Sequence, residues 1–124
     1  MRIGKHLAEC IGTFALTFVG AGAIIATSGE NLLVISLAHG MILAVMVAAM
    51  LHTSGAQFNP AVSFALAVRG KQPWSQACTF AIVQVLGGII AAYLLKVTMV
   101  PAFEYANSRL GETLGKYSGA AGPE

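Results

Sequence analysis

The sequence predicts an all-α membrane protein: three spanning helices plus a short helix that enters the membrane and leaves on the side it came from. Three observations carry that expectation. Of 124 residues, 56% are hydrophobic and 10% charged, with a mean hydropathy of +0.75, whereas a soluble domain carries about 25% charged residues. Spanning the hydrocarbon takes about 20 mainly apolar residues, and the stretches 7–27, 32–51 and 74–100 qualify. Between the second and third lies "HTSGAQFNPAVS" (52–63), small and polar residues broken by an Asn-Pro pair.

The first span follows Met1-Arg2-Ile3-Gly4-Lys5, a start that imitates a signal peptide. The apolar run behind it is longer than a signal core, so it reads as a retained helix. "SGEN" (28–31) is a tight turn into the second span. The third has turn chemistry at both ends, Pro73 and Pro101, and Trp74 stands where an interfacial aromatic anchor belongs. Residues 102–124, rich in Gly and polar side chains, read as a loop or frayed tail with room for a short surface helix near 105–115. Residues 1–101 therefore form the folded unit. Gly12, Gly20, Gly22, Gly40, Gly87 and Gly88 imply close helix packing in lipid.

The segment after the second span is too apolar for a simple loop. "AVSFALAV" follows Pro60 and ends at Arg69-Gly70. A helix of that length covers roughly 12–15 Å, half a bilayer. Asn59 suits the N-cap and Pro60 the first helical position. Residues 52–69 therefore read as a re-entrant segment: extended backbone over "HTSGAQF", then a half-helix running from the midplane back to Arg69. Such backbone at membrane depth must be buried in protein or line water. A helix N-terminus at the midplane carries about half a positive charge, which opposes cations and protons more than neutral solutes. Asn59 can cap its helix with the side-chain oxygen and offer its amide N–H to a passing molecule. The carbonyls of Gly55, Ala56 and Gln57 can accept hydrogen bonds along the way.

Over residues 1 to about 100 the sequence resembles the first half of the major intrinsic protein family, the aquaporins and glyceroporins. "AECIGTFALTFVGAGAI" (8–24) is similar to the family's first helix and "LAHGMILAVMVAAMLHTSGAQFNPAVSFALA" (37–67) to its second helix and first Asn-Pro-Ala loop. "QVLGGIIAAYLL" (84–95) matches its third. Family members have six spans and two such half-helices, whereas this chain has three and one. The resemblance therefore implies one aquaporin-like repeat, completed by a second, inverted copy. It implies passive permeation of water and small neutral solutes such as glycerol or urea through a pore lined by Asn59, Pro60 and Ala61.

The resemblance also assigns roles. Glu9 matches a Glu that holds the loop's backbone N–H groups, and Gln84 a third-helix Gln that braces the same loop. His39 stands twenty residues before Asn59, where the family's second helix supplies a filter residue. Leu43, Val47 and Met50 share its helix face and would coat the path. The family's second repeat supplies filter positions twelve and three residues before its Asn and three after. In an inverted homodimer these fall on Val47, Ala56 and Val62 of the other copy. The resulting His-Val-Ala-Val set, one at each membrane face, resembles the His-Ile-Ala-Val filter of some plant vacuolar-membrane members. The cationic Arg of water-selective members is absent, which implies a wider opening. His52 reads as structural.

The charges bear on orientation. With the N-terminus inside, Arg2, Lys5, Arg69 and Lys71 face Lys96, Arg109 and Lys116. So weak a positive-inside bias favours insertion both ways. Family members cluster four pores, which would make eight chains. Two other readings stay open: a dual-topology proton-coupled transporter using Glu9, of a length similar to the small multidrug-resistance proteins, and a non-conducting half that needs a separate partner chain. A net charge of +2, scattered along the chain, gives no nucleic-acid surface. Cys10 and Cys78 lack metal or redox spacing and read as reduced thiols. No cofactor, metal site or catalysis is expected. The expected location is a multi-pass position in the inner or plasma membrane of a prokaryote.

Overall fold

The computed structural model describes residues 3–99. The expected tail, together with Arg2, Arg109 and Lys116, lies outside the described residues. The element order is α1 (Ile3–Ala26), α2 (Leu32–Ser54), α3 (Pro60–Val68) and α4 (Trp74–Thr98). Three of the four helices, α1, α2 and α4, are long and apolar enough to cross a membrane, and there is no strand among the described residues. The protein is an integral, multi-pass membrane protein.

Local chemistry ends each helix where the chain must turn. The α1 carbonyls are closed by a Schellman motif: Gly29 N–H donates to Ile24 O at 2.9 Å and Ser28 N–H to Ile25 O at 3.1 Å. Asn31 caps α2, its side-chain oxygen accepting from Val34 N–H at 3.1 Å. A second Schellman motif ends α3, with Gly70 (φ 67°) in the left-handed position and Lys71 N–H on Leu66 O at 2.9 Å.

The reading of 52–58 as extended needs correction. His52, Thr53 and Ser54 complete the last turn of α2, and the helix stops only at Gly55 (φ 94°), whose N–H bonds Leu51 O at 3.0 Å. A glycine adopts that left-handed conformation without steric cost, so the helix runs on until it meets one. The non-helical backbone is therefore confined to 55–59. At its two ends the first span also differs from 7–27, since α1 takes in Ile3 to His6 and stops at Ala26.

α1 and α4 together form the centre of the bundle. Among the described residues α2 packs on α1 alone, α3 on α4 alone, and α4 on both α1 and α3. Glycines set the closest approaches. A side chain at Gly87 would overlap the backbone carbonyl of Cys10, and one at Gly12 would overlap the Phe58 ring. Gly40, by contrast, has open space and Gly88 only an ordinary contact with Thr17, so the packing role expected of the glycines is concentrated at Gly12, Gly20, Gly22 and Gly87. Along α4 the buried residues Ala77, Phe80, Gln84, Gly87, Ala91 and Leu95 recur every three or four positions, one helix face. α2 buries only Ile35 and Ser54, so most of its apolar surface is uncovered.

Candidate functional site

The bend between α2 and α3 enters and leaves on one face. Gly4, Lys5 and His52 to Gly55 line one shallow cavity. Lys5, His6, Pro73 and Ser75 line another. The starts of α1 and α4 and the end of α2 therefore share this near face. Depth follows from helix geometry. α1 has 24 residues, about 36 Å at 1.5 Å per residue. Phe58 lodges against Gly12, nine residues and about 13 Å from the start of α1. The 9 residues of α3 cover about 13 Å back again. The half-helix thus begins near mid-depth and returns to the near face.

What holds the bend is a buried carboxylate. Glu9 is completely buried. Its Oε1 accepts from Gln57 N–H at 3.0 Å, and Oε2 from Phe58 N–H at 2.6 Å and Gln84 Nε2 at 2.8 Å. Three donors offset much of the desolvation of a buried charge. Gln84 Nε2 also donates to Ser63 Oγ at 3.1 Å, which ties the same network to α3. Ala56 (φ 49°) and Phe58 (φ 47°) are left-handed without being glycine, a strain of about 1–2 kcal/mol each that the Glu9 bonds sustain.

This arrangement directs the carbonyls. In a trans peptide the C=O points opposite to the following N–H, and no described peptide is cis. With the N–H groups of Gln57 and Phe58 turned onto Glu9, the carbonyls of Ala56 and Gln57 must point away from α1. Ala56 N–H turns onto Ser54 Oγ at 3.2 Å, which directs the Gly55 carbonyl in the same manner. Asn59 Oδ1 caps α3 through Ala61 N–H at 2.8 Å. Its Nδ2 amino group is then the part of this exposed side chain able to meet a solute. Pro60 occupies the first helical position, where its missing N–H is no loss. Ala61 and Val62 are exposed on α3.

The remaining candidate residues are not brought together within one chain. His39 lies on α2, half-buried, its ring against Gly20 and its Nδ1 3.0 Å from Ile35 O. A carbonyl only accepts, so Nδ1 carries a proton. Gly20 is eight residues beyond Gly12, placing His39 about 12 Å farther from the near face than Phe58. Leu43 is exposed on the same helix, and Val47 and Met50 are half-buried. α2 and α3 do not touch, so His39 and Val47 stand apart from Val62. His52 lies exposed at the near face. Cys10 and Cys78 are free thiols, half-buried and exposed.

Sequence reasoning missed three participants: Phe58, Ser63 and Gln72. Ser63 is the one polar side chain of α3, and Gln72 the one amide in the link to α4. Ser63 was visible as a polar residue in apolar company, whereas Gln72 sits among the charged and turn residues of the link. Phe58 carried no signal until Gly12 was seen opposite it.

Comparison with known proteins agrees with this geometry. A family model described as Major intrinsic protein matches residues 2–121. "Aquaporin Z" of Rhodopseudomonas palustris is 47% identical over 100 residues, 77% of this chain and 42% of that protein. "Aquaporin Z" of Bradyrhizobium diazoefficiens is 44% identical over 78% of this chain and 42% of that protein. "Aquaglyceroporin-2" of Rhizophagus irregularis is 37% identical over 82% of this chain and 34% of that protein. The chain thus spans less than half the length of these relatives. With the capped half-helix, the carboxylate-held bend and these matches together, the chain belongs to the major intrinsic protein family.

Proposed function

We propose that the chain is half of a membrane channel for water and small neutral solutes such as glycerol or urea, its pore completed between two inverted copies. The observation that carries this reading is the bend itself. Two backbone N–H groups are consumed by Glu9, the carbonyls of Ala56 and Gln57 face away from α1, and Asn59, Ala61 and Val62 are exposed beside them. A polar track on exposed backbone at mid-depth is tolerable only where water or protein meets it. The uncovered apolar surfaces of α2 and α3 call for a second half of matching shape. The printed names of the relatives, aquaporins and an aquaglyceroporin, support the solute class.

Inversion also brings the filter candidates to one level. His39 lies beyond mid-depth from the near face, whereas Ala56 and Val62 lie on the near side of it. Turning a second copy over moves its Ala56 and Val62 to the level of the first copy's His39. The pore would then carry one such set toward each face, all neutral or weakly basic, with room for solutes larger than water. No cofactor takes part.

Glu9 supports this reading over proton-coupled transport. Its two carboxylate oxygens already hold three donors with no exposed surface, the arrangement of a structural brace. The test is stopped-flow light scattering on proteoliposomes containing the purified chain alone. Water and urea or glycerol flux above the lipid background, independent of any proton gradient, is the expected result. No flux from the chain alone defeats the homodimer pore and favours a separate partner chain.

A further inference from the structure

Gln57 and Gln72 form a reciprocal carboxamide pair across the near face of the bend. Gln57 Nε2 donates to Gln72 Oε1 at 2.8 Å, and Gln72 Nε2 donates back to Gln57 Oε1 at 3.2 Å. Gln72 Nε2 also donates to the backbone carbonyl of Ser63 at 2.6 Å. Both side chains are half-buried. Gln57 is thereby gripped at both ends, its backbone N–H by Glu9 and its carboxamide by the link between α3 and α4. The bond to Ser63 extends the grip to α3, whose Ser63 hydroxyl belongs to the buried Glu9–Gln84 network. Bend, half-helix and link form one hydrogen-bonded frame. Each carboxamide supplies a donor and an acceptor and neither titrates, so the pair itself is indifferent to pH.

We propose that the Gln57–Gln72 pair is a positioning latch that sets how freely solutes larger than water pass the bend. This rests on the channel reading above. Neither side chain needs to touch the solute: the pair holds the Gln57 carbonyl and the start of α3 in register. A loosened bend leaves single-file water little affected and changes the fit of a larger solute. Two residues that work only as a pair must also fail as a pair, because the first break already opens the latch.

The experiment is a double-mutant cycle on urea-to-water permeability in proteoliposomes of the full chain: wild type, Gln57→Leu, Gln72→Leu and the double variant. Each single substitution is expected to change the ratio at least about threefold, and the double no more than the larger single, the non-additivity of groups in one network. Gln57→Glu keeps an acceptor for Gln72 Nε2 but loses the donor to Gln72 Oε1, so at neutral pH it should change the ratio as the Leu singles do. Asn at either position is one methylene too short to close the pair and gives the same cycle should a Leu variant fail to reconstitute. Unchanged ratios in both singles, or independent effects that multiply in the double, overturn the latch while leaving the channel reading intact. A wild type that passes no water overturns both.

Discussion

Replacing Glu9 by Gln tests the bend at its anchor. The side chain keeps its shape but exchanges one acceptor oxygen for a donor NH₂ group. If the amide nitrogen takes the place of Oε1, it faces Gln57 N–H and that bond is lost. In the other rotamer it displaces Oε2 and loses the bonds from Phe58 N–H and Gln84 Nε2. The better rotamer therefore loses one charge-assisted bond, about 1.5–3 kcal/mol, and the surviving bonds drop to about half their strength on becoming neutral. Relief from burying a charge offsets part of this. A net loss of about 2 kcal/mol in the local stability of the bend follows. Since about 1.4 kcal/mol is a factor of ten, amide hydrogen exchange across 55–61 should speed up roughly thirtyfold, measured by mass spectrometry in detergent micelles. Glu9→Leu leaves the buried N–H groups of Gln57 and Phe58 unpaired, at about 1–3 kcal/mol each, with Gln84 Nε2 keeping only Ser63 Oγ, and should lower expression as well. Passive water flux through Glu9→Gln should remain measurable and insensitive to pH. Exchange within about threefold of wild type would refute the bracing argument. Proton-driven flux in the wild type that vanishes in Glu9→Gln would establish the transporter reading instead.

Val62→Arg places an always-charged guanidinium with five donors on an exposed position of α3. Urea or glycerol flux should fall about tenfold more than water flux if Val62 faces the pore. An unchanged ratio in intact, reconstituted protein would remove Val62 from the filter. Gly87→Ala drives a methyl into the Cys10 backbone carbonyl, which cannot swing away as a side chain can. It should destabilise the α1–α4 contact by about 1–3 kcal/mol or more, read as a lower thermal midpoint in detergent. No change would mean that α1 and α4 are not in contact there. Ser28→Cys and Lys71→Cys, introduced separately into Cys10→Ser, Cys78→Ser protein, lie on opposite faces. Dual insertion predicts that an impermeant maleimide labels about half of each in sealed cells, and labelling of one site alone would show a single orientation. If Ala56 stands beside the path as proposed, mercurials should inhibit weakly, since it offers no thiol there. Strong, reversible block that survives loss of both cysteines would contradict that placement.

Much of this protein was legible in its sequence because lipid leaves few options. Backbone groups must bond internally within the hydrocarbon, so apolar runs of spanning length could only be helices. Asn59-Pro60 marked the start of α3 through capping chemistry that acts over three residues. Composition and local periodicity thus determined the class, the spans and the half-helix. The end of α2 was misplaced by one turn because His52, Thr53 and Ser54 are weak helix formers. Their fate was decided by the first residue able to turn left-handed, Gly55.

Only the tertiary structure decided how the bend is held. Glu9 reaches Gln57 and Phe58 from 48 and 49 residues away, and Gln84 reaches Glu9 from 75. No periodicity encodes such pairings; the resemblance alone pointed to them. The seat of Phe58 in the notch at Gly12, and the closure of Gln57 on Gln72, carried no signal of any kind. Each depends on two segments arriving at one depth in the bundle. That depth is set by α1 and α4 meeting where a glycine lets two backbones touch. Hydrophobicity tells a helix to cross the membrane, but it is indifferent to rotation about the axis. Rotation is fixed by the few close contacts and buried polar bonds that only one orientation can make.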